Sequence, residues 1–286
     1  MSVSSRHHYL PVFYLKGFTD EDGLLNVFGV EDNTLKDKQA PPKSVFFEWD
    51  RNTIFLENGK TDFVEEMFKQ LDNACAIPFE KLKNRASNKV AVDDLIRFRF
   101  FLSVLFWRIP TIDEDYDEFI NGLTRDELKF RIVDKDGNDA PAEVFQTHFN
   151  DPNFRKAYRV AIPIVNYRII KNDEVENWKF YFSTEKSFHV CGDSPIIRRN
   201  QKAKNLEETD FVFPLTDSTL LVHKKGERIT QISPATRVKI DLLIFLQSQK
   251  YVCSSNRDYL VKLSYMRQGY NDKRIEDLRS EIFKEI

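Results

Sequence analysis

Apolar and polar positions along this chain follow two periods, and the change from one to the other organises it. Residues 8–18 and 24–30 alternate as strands do, with Asp20-Glu21-Asp22-Gly23 as the turn between them. Val45-Phe46-Phe47 and Thr53-Ile54-Phe55 predict another short pair around Asp50-Arg51-Asn52. From 61 to 85 the period lengthens. Phe63, Val64, Met67, Phe68, Leu71, Cys75 and Phe79 recur at helical spacing, with Thr61 or Asp62 as the cap. A second helix, about Val92 to Trp107, is apolar nearly all round and so belongs at the centre; Pro110 ends it.

Residues 111–150 are acidic and polar, with a turn at Asp136-Gly137, and read as a helical, partly exposed insertion. A helix over 153–171 is disturbed by Pro163. Strands return at 178–183, 188–191, 210–215 and 219–223. A buried helix at about 236–248, a strand at 250–253 and a charged helix at 272–285 follow. Strands flank a helical middle, so the pattern predicts an α+β fold. In it a mixed or antiparallel sheet of N- and C-terminal strands packs on a central group of helices. With no repeat and no clear linker, residues 1–286 read as one domain.

Composition narrows the chemistry. The 25 phenylalanines predict an aromatic core built partly from strands. Only 9 glycines occur, and neither dinucleotide-binding fingerprint nor P-loop is present, so no nucleotide cofactor motif exists. A net charge of −2 lacks the globally basic footprint of a nucleic-acid binder. Cys75, Cys191 and Cys253 are too scattered for a disulfide framework or a zinc knuckle and suit a reducing cytoplasm. No apolar run approaches the roughly 18 residues of a membrane span.

The opening run, Ser5-Arg6-His7-His8-Tyr9-Leu10-Pro11-Val12-Phe13-Tyr14-Leu15-Lys16-Gly17-Phe18, is too apolar for a disordered leader. Pro11 and Lys16 interrupt it too soon for a signal peptide. These residues are therefore expected to be built into the fold. His8-Tyr9-Leu10-Pro11 with Phe13-Tyr14-Leu15 and Phe18 resembles the N-terminal signature of the domain of unknown function 4238 family. Three later segments resemble it in the same order. They are Phe63-Val64-Glu65 through Asp72, Phe188-His189-Val190-Cys191-Gly192-Asp193-Ser194-Pro195, and Phe211-Val212-Phe213-Pro214-Leu215. Ser194 stands where the family has Asn, and Asp72 where it has Glu. The resemblance implies a prokaryotic-type soluble protein and no assigned activity.

Four constellations carry candidate chemistry. His8 opens a strand three residues before a fixed proline, which suits a general base or ligand; it equally suits an anchor bonded to a backbone carbonyl. His7 faces the other way on a strand and is expected to be solvated. Glu65 and Asp72, seven residues and nearly two turns apart, share one helix face. They would serve a hard divalent cation or form a solvated charged face. Asp193, held in a strand-end turn by Ser194-Pro195, is a loop aspartate for catalysis or metal, or an Asx turn. Arg198, Arg199, Lys202 and Lys204 follow and would contact phosphates or lie in an exposed loop. Arg97, Arg99 and Arg108 lie on or beside an apolar helix; each buried one needs an anion, internal (Glu65 or Asp72) or from a ligand.

Two functions follow. One is a metal-dependent hydrolase of phosphodiesters, nuclease-like, in a prokaryotic defence or stress setting. In it Glu65, Asp72 and Asp193 hold magnesium or manganese, His8 is the base, and Arg108 stabilises phosphate charge. The other is a non-catalytic binding protein, sensor or partner subunit, in which the same residues form a structural polar network. A nucleic acid or nucleotide, a protein partner or a second copy would be the partner. Convergence decides between them: His8 is expected within about 10 Å of Asp193 or Glu65, with strand 8–18 in the sheet of strand 188–191.

Overall fold

The computed structural model describes residues 5–83, 90–124, 127, 131, 133, 135–139, 141–168, 170–183, 189–203, 205–226 and 231–286. Lys204 and the segment 184–188 lie outside them, so the start of the strand expected at 188–191 is not described.

The chain begins with β1 (Arg6–His8), and Pro11 then redirects it. With its φ of −60°, Pro11 caps a single helical turn, α1 (Val12–Leu15), followed by a 3₁₀ turn at Lys16–Phe18. Of the strand expected over 8–18 only His8 lies in a strand, and residues 12–18 are helical instead. Tyr14 and Phe18, four apart, meet edge to face with centroids at 5.2 Å, a helical contact that alternation could not give. Strands β2 (Asn26–Gly29) and β3 (Thr34–Leu35) follow, then β4 (Phe47–Trp49), β5 (Ile54–Leu56) and β6 (Gly59–Thr61). β4 pairs with β1 rather than with β5, and β5 pairs with β6. Phe46 and Asp50 stand at φ of 56° and 51°, and these left-handed bends at both ends turn β4 back onto the N-terminus.

The helical middle matches its period. α2 (Phe63–Lys83) and α3 (Val92–Arg108) run as long helices, and α3 is buried over most of its surface. α4 (Asp113–Asn121) and α5 (Ala142–Asn150) form the acidic stretch, with Gly137 at φ 84° in its turn. α6 (Pro152–Val165) carries Pro163 inside it. After the short α7 (Asn172–Val175) come β7 (Trp178–Phe182), β8 (Cys191–Gly192), β9 (Ile197–Arg198), β10 (Phe211–Thr216) and β11 (Thr219–His223). The chain finishes with α8 (Pro234–Gln247), β12 (Tyr251–Ser254), α9 (Arg257–Arg267) and α10 (Asp272–Glu285).

The fold is α+β, with small antiparallel sheets and packed helices. One four-stranded sheet has the order β7-β11-β10-β9; the other, β3-β2-β12-β8, joins N-terminal to C-terminal strands. β1 lies outside that second sheet, so the expected sharing of one sheet by strand 8–18 and strand 188–191 does not hold. Pro11 ends β1 too early to reach it.

The aromatic core lies between these parts. Tyr14 stacks on Phe213 with centroids at 5.2 Å, meets Phe79 and Phe101, and donates its hydroxyl to the Pro214 carbonyl at 2.9 Å. That bond and those rings tie the N-terminal turn to β10 and to the long helices. A second core, with Ile240, Ile244, Phe245 and Ile282 fully buried, packs α8 and α10 against the sheets. Among the described residues no helix is long and apolar enough to cross a membrane.

Candidate functional site

The β1–β4 ribbon sets His7 opposite Glu48 and His8 opposite Phe47, so the two histidines point to opposite faces. His7 is the buried one, with no exposed surface, which corrects its expected solvation. The cause is the Asp50 bend, which folds the following turn over it. The Asn52 backbone N–H donates to His7 Nδ1 at 2.9 Å, which puts the ring's proton on Nε2. Asn52 then donates its side-chain amide to Glu65 Oε2 at 2.8 Å, in the first turn of α2. There a carboxylate also complements the helix dipole.

His8 is half-buried, and its Nε2 donates to the Lys43 carbonyl at 3.1 Å. Burial lowers its pKa. The Lys43 carbonyl and Glu65 pull it up, and Arg108 and Arg6 push it down. The fields of Glu65 and Arg108 therefore both reach His8.

Two turns along α2, Asp72 receives Nη1 of Arg108 on both carboxylate oxygens, at 2.8 and 2.9 Å. The Arg108 guanidinium lies 4.5 Å above the Phe68 ring, and its buried Nε has no partner among the described residues. Burial pushes the Asp72 carboxyl up, Arg108 pulls it down, and Glu65 pushes it up again. The buried arginine has taken the internal anion, one of the two alternatives the helix pattern left open.

Asp193 belongs to a different hub. Its Oδ1 accepts from the Gln249 amide at 2.9 Å and its Oδ2 from the Lys250 amide at 2.5 Å, while its own N–H donates to Tyr251 at 3.1 Å. It is 2% exposed and staples the β8 loop to the start of β12. Burial raises its pKa and the amides lower it. Tyr9, whose buried hydroxyl has no partner among the described residues, is pushed up by burial and then by Asp193 and Glu48. Glu48 in turn joins Lys250 to Arg51, which reaches Asp113 at 2.6 Å, as Arg159 does.

The expected metal trio is therefore not assembled. Among the described residues no three His, Cys, Asp or Glu side chains group as ligands for one ion. Asp72 is held by a guanidinium, Glu65 by an amide and Asp193 by two backbone N–H groups. The basic cluster is also partly committed: Arg198 bonds Asp115 at 3.2 Å and lies 5.1 Å from Phe106, and exposed Arg199 bonds Asp210. Lys202 is exposed.

Two polar groupings escaped the sequence reading. His189 Nδ1 lies 3.0 Å from Asp241 Oδ1, and Tyr259 donates to Asp241 Oδ2 at 2.7 Å, all from separate elements. Arg99, on α3, gives Nε and Nη2 to Glu207 Oε1 at 2.8 and 2.6 Å across 108 residues of sequence. An arginine on an apolar helix was the only signal for the second; the first left none.

The family model described as Protein of unknown function (DUF4238) matches residues 6–258. The chain belongs to that family. No curated protein matches the chain, and no solved structure does. The DUF4238 match begins at Arg6 in β1 and so takes in the His8–Tyr9–Leu10–Pro11 segment that carried the resemblance.

Proposed function

We propose that this DUF4238 protein is a non-catalytic binding protein, a sensor or partner subunit, in which the His8–Arg108 constellation is scaffold. The observation that carries this reading is the two-oxygen bond from Arg108 to Asp72, between side chains 3% and 19% exposed. A guanidinium so held has its charge satisfied inside the protein, and its cost of desolvation is offset only while Asp72 is present. Asp193, bonded to the amides of Gln249 and Lys250, fits the same role. Arg108→Ala and Asp193→Ala, followed by chemical unfolding, test it. Scaffold residues destabilise the fold on truncation, whereas catalytic ones cost little stability.

One observation favours a second reading, hydrolysis of phosphodiesters. His8 is half-buried, its pKa is depressed by burial, and it sits in the fields of Glu65 and Arg108. A neutral imidazole so placed is a competent base. Hydrolysis of RNA, DNA and nucleotides, with and without magnesium or manganese, tests it. Turnover lost in His8→Gln with the fold intact would replace the first reading by the second.

A further inference from the structure

Beside Arg99, on the side of α3 that meets residues 166–168, the start of β7 and residues 205–208, lies a cavity of about 320 Å³. That is the low end of the range that holds a small organic molecule. Its walls are aromatic, with Phe106, Trp107, Tyr167 and Trp178, and the Arg99 guanidinium lies 5.6 Å from the ring centroids of both Tyr167 and Trp178.

The polar groups of the cavity are unevenly matched. Glu207 is neutralised twice, by Arg99 through Oε1 and by Arg168 at 3.4 Å through Oε2. Glu208 accepts from Asn205 at 2.7 Å. Arg168 is held more closely by Glu174, at 2.6 and 2.9 Å, so Arg99 and exposed Lys225 stand against Glu207 and Glu208 and these charges balance. Most telling is Arg99 Nη1. The Arg99 side chain is 1% exposed, and this nitrogen is buried without a partner among the described residues. An unmet buried donor on a cation is costly unless something supplies an acceptor.

We propose that this cavity binds a small planar aromatic or heteroaromatic molecule carrying one anionic group, a carboxylate or a phosphate. The anion accepts from Arg99 Nη1, and the ring lies among Trp107, Tyr167 and Trp178. Flat aromatic walls favour a flat apolar partner, and the unmet N–H of a cationic guanidinium favours an anionic acceptor. The inference deepens the reading of the chain as a binding protein by giving it a site and a ligand class.

Titration calorimetry of the full chain with adenosine 5′-monophosphate, 4-hydroxybenzoate, adenosine and inorganic phosphate tests it. At least one of the two aromatic anions should give saturable heat and bind roughly tenfold or more tighter than both adenosine and phosphate, about 1.4 kcal/mol. Tighter binding of the monophosphate assigns the site to nucleotides, and tighter binding of the benzoate assigns it to aromatic acids; either supports the proposal. Ser103→Phe, which fills the cavity from α3, should abolish binding, and Lys225→Ala should weaken it several-fold. Arg99→Lys should weaken it about tenfold; should that variant fail to fold, the other two carry the test. No saturable heat from either aromatic anion up to about 1 mM, phosphate binding as tightly as both, or binding unchanged in Ser103→Phe would overturn the proposal. Stability of the Arg108 and Asp193 variants decides the reading beneath it separately.

Discussion

Arg99 and Arg108 lie on the same helix, are equally buried at 3% exposure, and each carries one nitrogen with no partner among the described residues. Their surroundings differ. Arg108 faces α2, gives one nitrogen to both oxygens of Asp72, and covers Phe68. Arg99 faces a loop carboxylate already shared with Arg168, and beside it the packing opens into a cavity walled by aromatics. The comparison separates two uses of a buried cation. Against a helix carboxylate it locks elements together; beside an aromatic cavity it keeps a donor unmet.

The largest expected effect breaks the first half of this comparison. Arg108→Ala leaves Asp72 half-buried and unpaired and should cost up to about 3–5 kcal/mol in denaturant unfolding. A loss under about 1 kcal/mol would remove the pair's structural role. Next, Asp193→Ala strips two backbone amides of their acceptor and should cost about 1–3 kcal/mol on the same measurement.

The two histidines sharpen it further. His7→Ala orphans the Asn52 N–H in a fully buried place and should cost about 1–2 kcal/mol. His8→Ala breaks one bond at a half-buried position and should cost less than that. Equal costs, or the reverse order, would mean that the ribbon's faces are wrongly assigned.

The smallest effect is a pH dependence. The folded-state pKa of His8 lies below its usual value of 6.5 because of burial, so the folded state binds fewer protons than the unfolded chain in that range. Its contribution is fully present above pH 6.5 and is lost as pH falls below it, through the depressed folded value. His223, lowered by burial too, adds in the same direction. His8→Gln should flatten part of the slope of stability just below pH 6.5, measured by denaturant midpoints across pH. An unchanged slope would place His8 in water.

Much of this was legible in local pattern. The periods of α2, α3 and α10 are 3.6-residue signals sustained over many positions, and tertiary packing had no reason to override them. The N-terminal turn departs from the expected strand because Leu10, Val12, Tyr14 and Phe18 also fit a loose alternation, and only Pro11 marks the change of period. His7 was misjudged because what buries it is the Asp50 bend, a left-handed residue that no spacing announces. The cost of burying a lone charge pointed to an anion for Arg108, either internal (Glu65 or Asp72) or from a ligand, and the fold decides for Asp72. The pairing of Arg99 with Glu207, and the cavity next to it, depended on a contact 108 residues away, which local sequence does not carry.

The coupling between Arg108 and Asp72 is the most direct mark of a scaffold role for the constellation. A double-mutant cycle with Arg108→Met, Asp72→Leu and the combined variant, read by denaturant unfolding, isolates that coupling. The two singles should each be strongly destabilised, and the combined variant should recover part of the loss. The coupling should be at least about 1 kcal/mol, because two apolar chains replace the pair without leaving a buried charge. Singles that keep full stability and simply add would contradict it and return both residues to the candidates for catalysis.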